Sequence, residues 1–169
     1  MVGGPPYSAG ELMIEMELTG VRVELPSNQP IVLLRERGGE RYLPIWIGAA
    51  EAAAIALSLQ GVTTPRPMTH DLMKTMLEDL AVQVQRIVVT ELRESTYYAT
   101  IHLERAGESI EVSSRPSDAI ALAVRMSVPI FAQEDVLAEA SILIPGDEEE
   151  EVEKFREFLD NVQPEDFDG

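Results

Sequence analysis

The 169 residues carry no cysteine and a formal net charge of −17, with 45% hydrophobic and 25% charged side chains. This length builds one domain with a real core and hardly two, and the missing thiols exclude disulfides, thiolate metal sites and a cysteine nucleophile, which fits a reducing cytoplasm. Residues 133–169 hold fourteen acidic and two basic side chains, against sixteen and eleven in residues 1–132, so the tail carries the excess; a field of this sign repels nucleic acid, whose phosphates are normally met by Lys and Arg.

No run approaches the eighteen or so apolar residues that cross a bilayer. Residues 1–10 lack the basic and apolar regions of a signal peptide and read as a disordered lead. From residue 11 the pattern "ELMIEMELTGVRVE" alternates, which predicts a strand pair or one long strand with a bulge or turn at Gly20. "QPIVLLRERGGERYLPIWIG" predicts a hairpin, with Ile31 to Arg35 running up, Gly38-Gly39 turning and Arg41 to Ile47 returning. A helix follows over Ala49–Leu59, with Ala52, Ile55, Ala56 and Leu59 on one face and Gly61 as its stop. "TTPRPMTHDLMKTMLEDLA" opens a second helix with Thr69 as N-cap and Asp71 in the first turn. Its expected buried stripe is Leu72, Met73, Met76, Leu77 and Leu80.

Three β segments come next, Val82–Leu92, Thr96–Arg105 and Ser109–Ser113. In the second, Tyr97, Ala99, Ile101 and Leu103 oppose Tyr98, Thr100, His102 and Glu104, which places His102 on the wetter face as a surface histidine. "SSRPSDAIALAVRMSVPIF" (113–131) starts a third helix, apolar nearly all round from Ala119 to Met126, and then a short strand. "EDVLAEA" is a short helix. "GDEEEEVEKFREFLDNV" is an acidic helix with Val152, Phe155, Phe158, Leu159 and Val162 on one side. The whole predicts a single α/β (α+β) domain with a mixed, largely antiparallel sheet and three main helices. Its boundaries are a lead over 1–10, the domain over 11–140 and an acidic helix and tail over 141–169.

Three polar helix starts stand out. Pro116 suits a first helical turn, and Ser114, Ser117 and Asp118 can accept bonds from free N–H groups there. Arg115 is left over, free to pair with a carboxylate or a phosphate. His70-Asp71 is either a capped surface start or a general base and ligand pair. Glu51 is either a dipole-favoured first-turn residue or a lone carboxylate in a cleft of small side chains. The acidic run Asp147 to Glu151 lacks the ligand spacing of a calcium loop. No Walker loop, dinucleotide fingerprint, HExxH or GxSxG occurs.

Together, "LPIWIGAAEAAAIALSLQG", "RPMTHDLMKTMLEDL", "YYATIHLE" and "SSRPSDAIALAVRMSVPIF" resemble, in this order, the bifunctional nuclease family, also called the DNase/RNase domain. The resemblance runs from about Met13 to Leu137. It implies a compact α/β domain acting on DNA and RNA, with polar motif positions at Glu51, Arg66, Thr69, His70, Asp71, Arg115, Ser117 and Asp118. Some relatives carry a further helical segment resembling a Uvr-type interaction motif; in this chain an acidic helix and tail stand instead.

Two functions follow. In the first, a metal-assisted phosphodiesterase, Glu51, Asp71 and Asp118 supply oxygen ligands to Mg²⁺ or Mn²⁺. His70, Asp71 and Asp118 are then its catalytic set, with His70 as base or added ligand. Arg115, Arg66 and Ser117 hold the phosphate of a DNA or RNA substrate. In the second, the domain is a non-catalytic regulatory module and an internal Arg115–carboxylate pair fixes its fold. The expected assembly is a homo-oligomer, a dimer by default. Whether the three helix starts meet decides whether these residues form a site or are separate caps.

Overall fold

The alternation from Met13 onward yields one strand, β1 (Met13–Glu24), and Gly20 marks its irregularity: φ is +143° there, and the register with the next strand shifts between Leu18 and Gly20. The computed structural model describes residues 12–24 and 27–144; the expected lead and the acidic helix beyond residue 144 lie outside the described residues. After β1 come β2 (Gln29–Glu36), β3 (Arg41–Trp46), α1 (Ala49–Leu59) and α2 (Thr69–Asp79). Then follow β4 (Gln83–Arg93), β5 (Thr96–Arg105), β6 (Glu108–Ser114), α3 (Pro116–Met126), β7 (Ile130–Gln133), α4 (Glu134–Ala140) and β8 (Ile142–Leu143). The fold class is α+β.

All eight strands join one sheet in the order β6-β5-β4-β7-β1-β2-β3-β8. Every neighbouring pair is antiparallel except β4 and β7, which run parallel because α3 carries the chain back across the sheet. The register Arg93↔Thr96 leaves Glu94 and Ser95 as a two-residue turn, and both have positive φ, 52° and 65°. That is the handedness which matches strand twist, although glycine or asparagine usually supplies it.

Consecutive residues Val32 to Leu34 and Ile87 to Val89 are all buried. Alternation would expose every second one, so these central strands are covered on both faces. α3 packs on β4 and β5, α1 on β1 and β2, and α4 against β3, β4 and β7. The run Ala119 to Ala123 is fully buried, as its all-round apolarity requires. Burying Ile120 and Leu122 there stabilises the fold by about 1.5–3 kcal/mol each. Arg41 ties β3 to β2 through Glu36 and to α4 through Glu134, at 2.7 Å in both cases. The hydrogen bond from Arg41 holds the Glu36 carboxyl below its usual range despite burial.

Several local expectations need correction. Leu72, Met76 and Leu80 of the supposed buried stripe are exposed, whereas His70 is buried and Met73 and Leu77 are half-buried. α2 rests on α3 rather than on the sheet, so it buries only a narrow line at i, i+3 and i+7, and Leu72, Met76 and Leu80 lie outside that line. Leu59 is likewise exposed at the end of α1, and Ala54 is buried instead. Thr69 is the first helical residue, and the cap position falls to Met68. His102 is no surface histidine: its side chain is 17% exposed beside Arg86. Burial, then the Arg86 charge, lower its pKa. The two-residue β8 pairs with Arg41 and Tyr42 and adds a strand that the sequence pattern does not announce. Among the described residues no helix is long and apolar enough to cross a membrane.

Candidate functional site

The starts of α1, α2 and α3 meet. Arg115 precedes α3 in extended backbone, and Pro116 fixes the first turn. No side chain caps α3, so Ser117 and Asp118 are not the caps their positions suggested. Asp118 turns instead to Arg115, accepting from Nε at 2.9 Å through Oδ2. Arg115 Nη2 also donates to Glu51 Oε1 at 2.8 Å. The other oxygen of Asp118, Oδ1, lies 3.0 Å from His70 Nε2. The result is a continuous polar chain, Glu51–Arg115–Asp118–His70, joining three helices far apart in sequence.

Exposure within this chain is greatest at Arg115 and least at His70. The Arg115 side chain is 66% exposed, Asp118 27%, Glu51 16% and His70 7%. Burial raises the Asp118 pKa, but the hydrogen bonds from His70 and Arg115 outweigh it and hold the carboxyl below its usual range. Asp118 is therefore ionised at neutral pH, and His70 Nε2 carries the proton it donates. Arg115 is raised by its bonds to Asp118 and Glu51. Its Nη1 group makes no hydrogen bond among the described residues. Gly48 makes room for Glu51: a Cβ at position 48 would stand 2.5 Å from Glu51 Oε2.

Asp71 belongs to a different cluster. Its Oδ1 accepts from Arg125 Nε at 2.7 Å and its Oδ2 from the Met68 N–H at 3.0 Å. Arg125 also donates to the carbonyls of Ala121 and Ala54, each at 3.0 Å. This guanidinium, 7% exposed, pins α1, α2 and α3 to one another. It holds the Asp71 carboxyl below its usual range, and the Met68 N–H adds to this against the effect of burial. Sequence reasoning passes over Arg125, although an arginine inside an otherwise apolar helix is the signal of a buried partner.

Arg66 stands exposed on the loop before α2, and its side chain makes no hydrogen bond or ion pair with the described residues. Ser117 is buried, 6% exposed, in the first turn of α3. The carboxylates Glu51, Asp71 and Asp118 do not gather as one ligand set, since Asp71 is turned to Arg125. Among the described residues no group of three or more His, Asp or Glu side chains is placed to hold a metal ion.

Beside Arg115 opens a hollow of about 300 Å³. Its walls come from the end of β3, the start of α3 and the β4–β5 turn. β3 and β5 lie second from opposite edges of the sheet, so the sheet curls enough for both to reach one cavity.

An α+β domain with three joined helix starts, two carboxylates on one exposed arginine and a hollow alongside is the class of protein that this fold and site define. The chain belongs to the bifunctional nuclease family: the model of the bifunctional nuclease domain matches residues 32–145. It is 50% identical over 164 residues to an uncharacterized protein of Mycobacterium tuberculosis, covering 92% of this chain and 98% of that one. It is 33% identical over 103 residues to Bifunctional nuclease 1 of Oryza sativa subsp. japonica, covering 59% of this chain and 31% of that protein. Bifunctional nuclease 1 of Arabidopsis thaliana is 32% identical over 112 residues, covering 63% of this chain and 34% of that protein. The chain thus spans about a third of the length of these plant relatives.

Proposed function

We propose that the Glu51–Arg115–Asp118–His70 chain is a phosphodiester-hydrolysing site acting on DNA and RNA. The observation that carries this reading is Arg115, a cation two-thirds exposed at the start of an uncapped eleven-residue helix, with Nη1 pointing to no described partner. An arginine fork and free helix N–H groups are both complementary to a phosphate. The names of the plant relatives support the same chemistry.

The roles follow from exposure and bonding. Arg115 holds the phosphate oxygens and meets the charge that develops on them. Glu51, with Oε1 on Arg115 and Oε2 making no hydrogen bond among the described residues, is the acceptor for a proton. An attacking water gives its oxygen to phosphorus and its proton to Glu51. The ester P–O bond breaks, and the leaving oxygen takes a proton from solvent. Asp118, gripped by His70 on one oxygen and by Arg115 on the other, positions the arginine. His70, buried beneath Asp118, positions Asp118 rather than acting as the base its sequence context suggests. Asp71 serves the scaffold through Arg125.

The test is cleavage of end-labelled single- and double-stranded DNA and RNA, with Mg²⁺, with Mn²⁺ and with EDTA, using wild-type protein and Glu51→Gln. Cleavage that co-elutes with the protein and falls at least about a hundredfold in Glu51→Gln is expected. Cleavage undiminished in that variant would refute the role of Glu51 as proton acceptor, and the EDTA arm decides whether a divalent ion takes part.

One observation favours the non-catalytic alternative. Arg115 already carries two carboxylates, as an internal pair that only fixes the fold would. That alternative predicts no cleavage by protein of any preparation and a large stability loss in Arg115→Ala.

A further inference from the structure

The hollow beside Arg115 differs in chemistry from the rest of this acidic chain. Eleven residues line it, and none is acidic; the one charged residue among them is Arg115. In a protein of thirty acidic side chains and net charge −17, this lining is free of carboxylates, and its one cation is the Arg115 that Glu51 and Asp118 hold from outside the lining. Its walls are apolar where Ile45, Trp46, Ile47 and Tyr97 contribute. They are neutral and hydrogen-bonding where Gln29 and Thr96 contribute.

Trp46 is the feature that the fold leaves unexplained. It ends β3 with half of its surface exposed, 50%, although the five residues before it are buried or half-buried. An exposed indole on the wall of a cavity offers a broad apolar face on which a flat ring can stack. About 300 Å³ is at the small end of ligand-sized cavities, suited to one ring system rather than a stacked pair. The β4–β5 turn, with positive φ at Glu94 and Ser95, brings Ser95, Thr96 and Tyr97 into the lining of the same cavity.

We propose that this hollow receives one unpaired nucleobase, stacked on Trp46, while the adjoining phosphate meets Arg115. The ring system takes the apolar walls, the Gln29 amide offers a donor and an acceptor to the base edge, and the phosphate takes the cation at the mouth. Bases of a duplex are stacked on each other and cannot enter without being flipped out. The site therefore selects single strands, loops and frayed ends, and tolerates any base because every base has a π-face. This inference rests on the phosphodiester reading of the Arg115 site for its ligand class.

Trp46 is the single tryptophan of the chain, so its fluorescence reports on the hollow directly. The experiment titrates the full chain with a short single-stranded DNA, a blunt duplex of the same length and an abasic strand of the same length. A labelled copy of each strand gives affinity by anisotropy. The single strand is expected to quench Trp46 saturably, with the duplex and the abasic strand binding at least about tenfold more weakly. Trp46→Ala should weaken single-strand binding about 5- to 150-fold, the range for loss of one base–aromatic stack, and Trp46→Phe should restore most of it. Should Trp46→Ala prove poorly folded, the abasic strand and Trp46→Phe carry the test unaided.

Binding of Trp46→Ala within about twofold of wild type, or equal binding of the abasic strand, would overturn the inference. A strand that quenches Trp46 and is never cut leaves this inference standing and removes the hydrolytic reading. Arg115-dependent cleavage that is indifferent to Trp46→Ala removes this inference and leaves the hydrolytic reading.

Discussion

Arg115 and Arg125 stand ten residues apart at the two ends of α3 and differ in exposure, 66% against 7%. Arg125 is buried and donates to one carboxylate and two backbone carbonyls on three helices. Truncating Arg125→Ala removes a second donor from two carbonyls that keep their helical N–H partners, and leaves Asp71 without its ion-pair partner. Removing one member of a buried pair costs about 3–5 kcal/mol. Asp71 is 38% exposed, so water takes over part of its solvation and about 2–4 kcal/mol remains. For a domain of this size that is a fall in Tm of about 5–15 °C. Arg115→Ala removes an exposed guanidinium, and exposed pairs contribute about 1 kcal/mol or less. Urea unfolding at pH 7, followed by far-ultraviolet circular dichroism, compares both variants with wild type. A loss in Arg115→Ala as large as that in Arg125→Ala would refute the division, because it would make Arg115 a structural strut.

Acid should unfold the protein through Asp71 and Asp118. Both are depressed in the folded state, so the stability they contribute is fully present above the unfolded value of about pH 3.9 and is lost as pH falls through their folded values. Urea midpoints from about pH 6 down to about pH 2 should fall less steeply in Asp118→Asn than in wild type. His102, lowered by burial and by Arg86, adds a milder loss that begins as pH falls below its unfolded value of about 6.5. His102→Gln should remove that step from the same pH series. Leu72→Gln and Met76→Gln should each change stability by less than about 0.5 kcal/mol, because these α2 residues are exposed; a loss of about 2 kcal/mol or more, of the order seen for core truncations, would show them to be covered.

Much of the fold is legible in the sequence because local chemistry and tertiary need coincide in it. The bulge at Gly20, the hairpin about Gly38, the bounds of α1 and the short α4 all follow from periodicity and turn residues alone. The apolar face of α2 misleads for a physical reason. Periodicity reports that a helix has an apolar side, but not how much of it a neighbour covers, and α2 leans chiefly on α3. Glu51, His70, Arg115 and Asp118 are recognisable as polar helix starts. Their meeting is not, since it depends on α1 and α3 packing together across a separation of 64 residues. Asp71 looks equivalent to Asp118 in sequence, and only Arg125 separates them. The hollow is invisible in the sequence because its walls come from strands at opposite ends of the sheet order.

The central claim is that Arg115 acts on a phosphate while it contributes little to the fold. The most direct measurement is single-turnover cleavage of an end-labelled single-stranded substrate by wild type and by Arg115→Ala of matched Tm, each assayed across a gel-filtration peak. If Arg115 meets the phosphate, cleavage follows the wild-type protein peak and falls about 10²- to 10³-fold in the variant. Equal cleavage by the two proteins, at equal stability, would contradict that role.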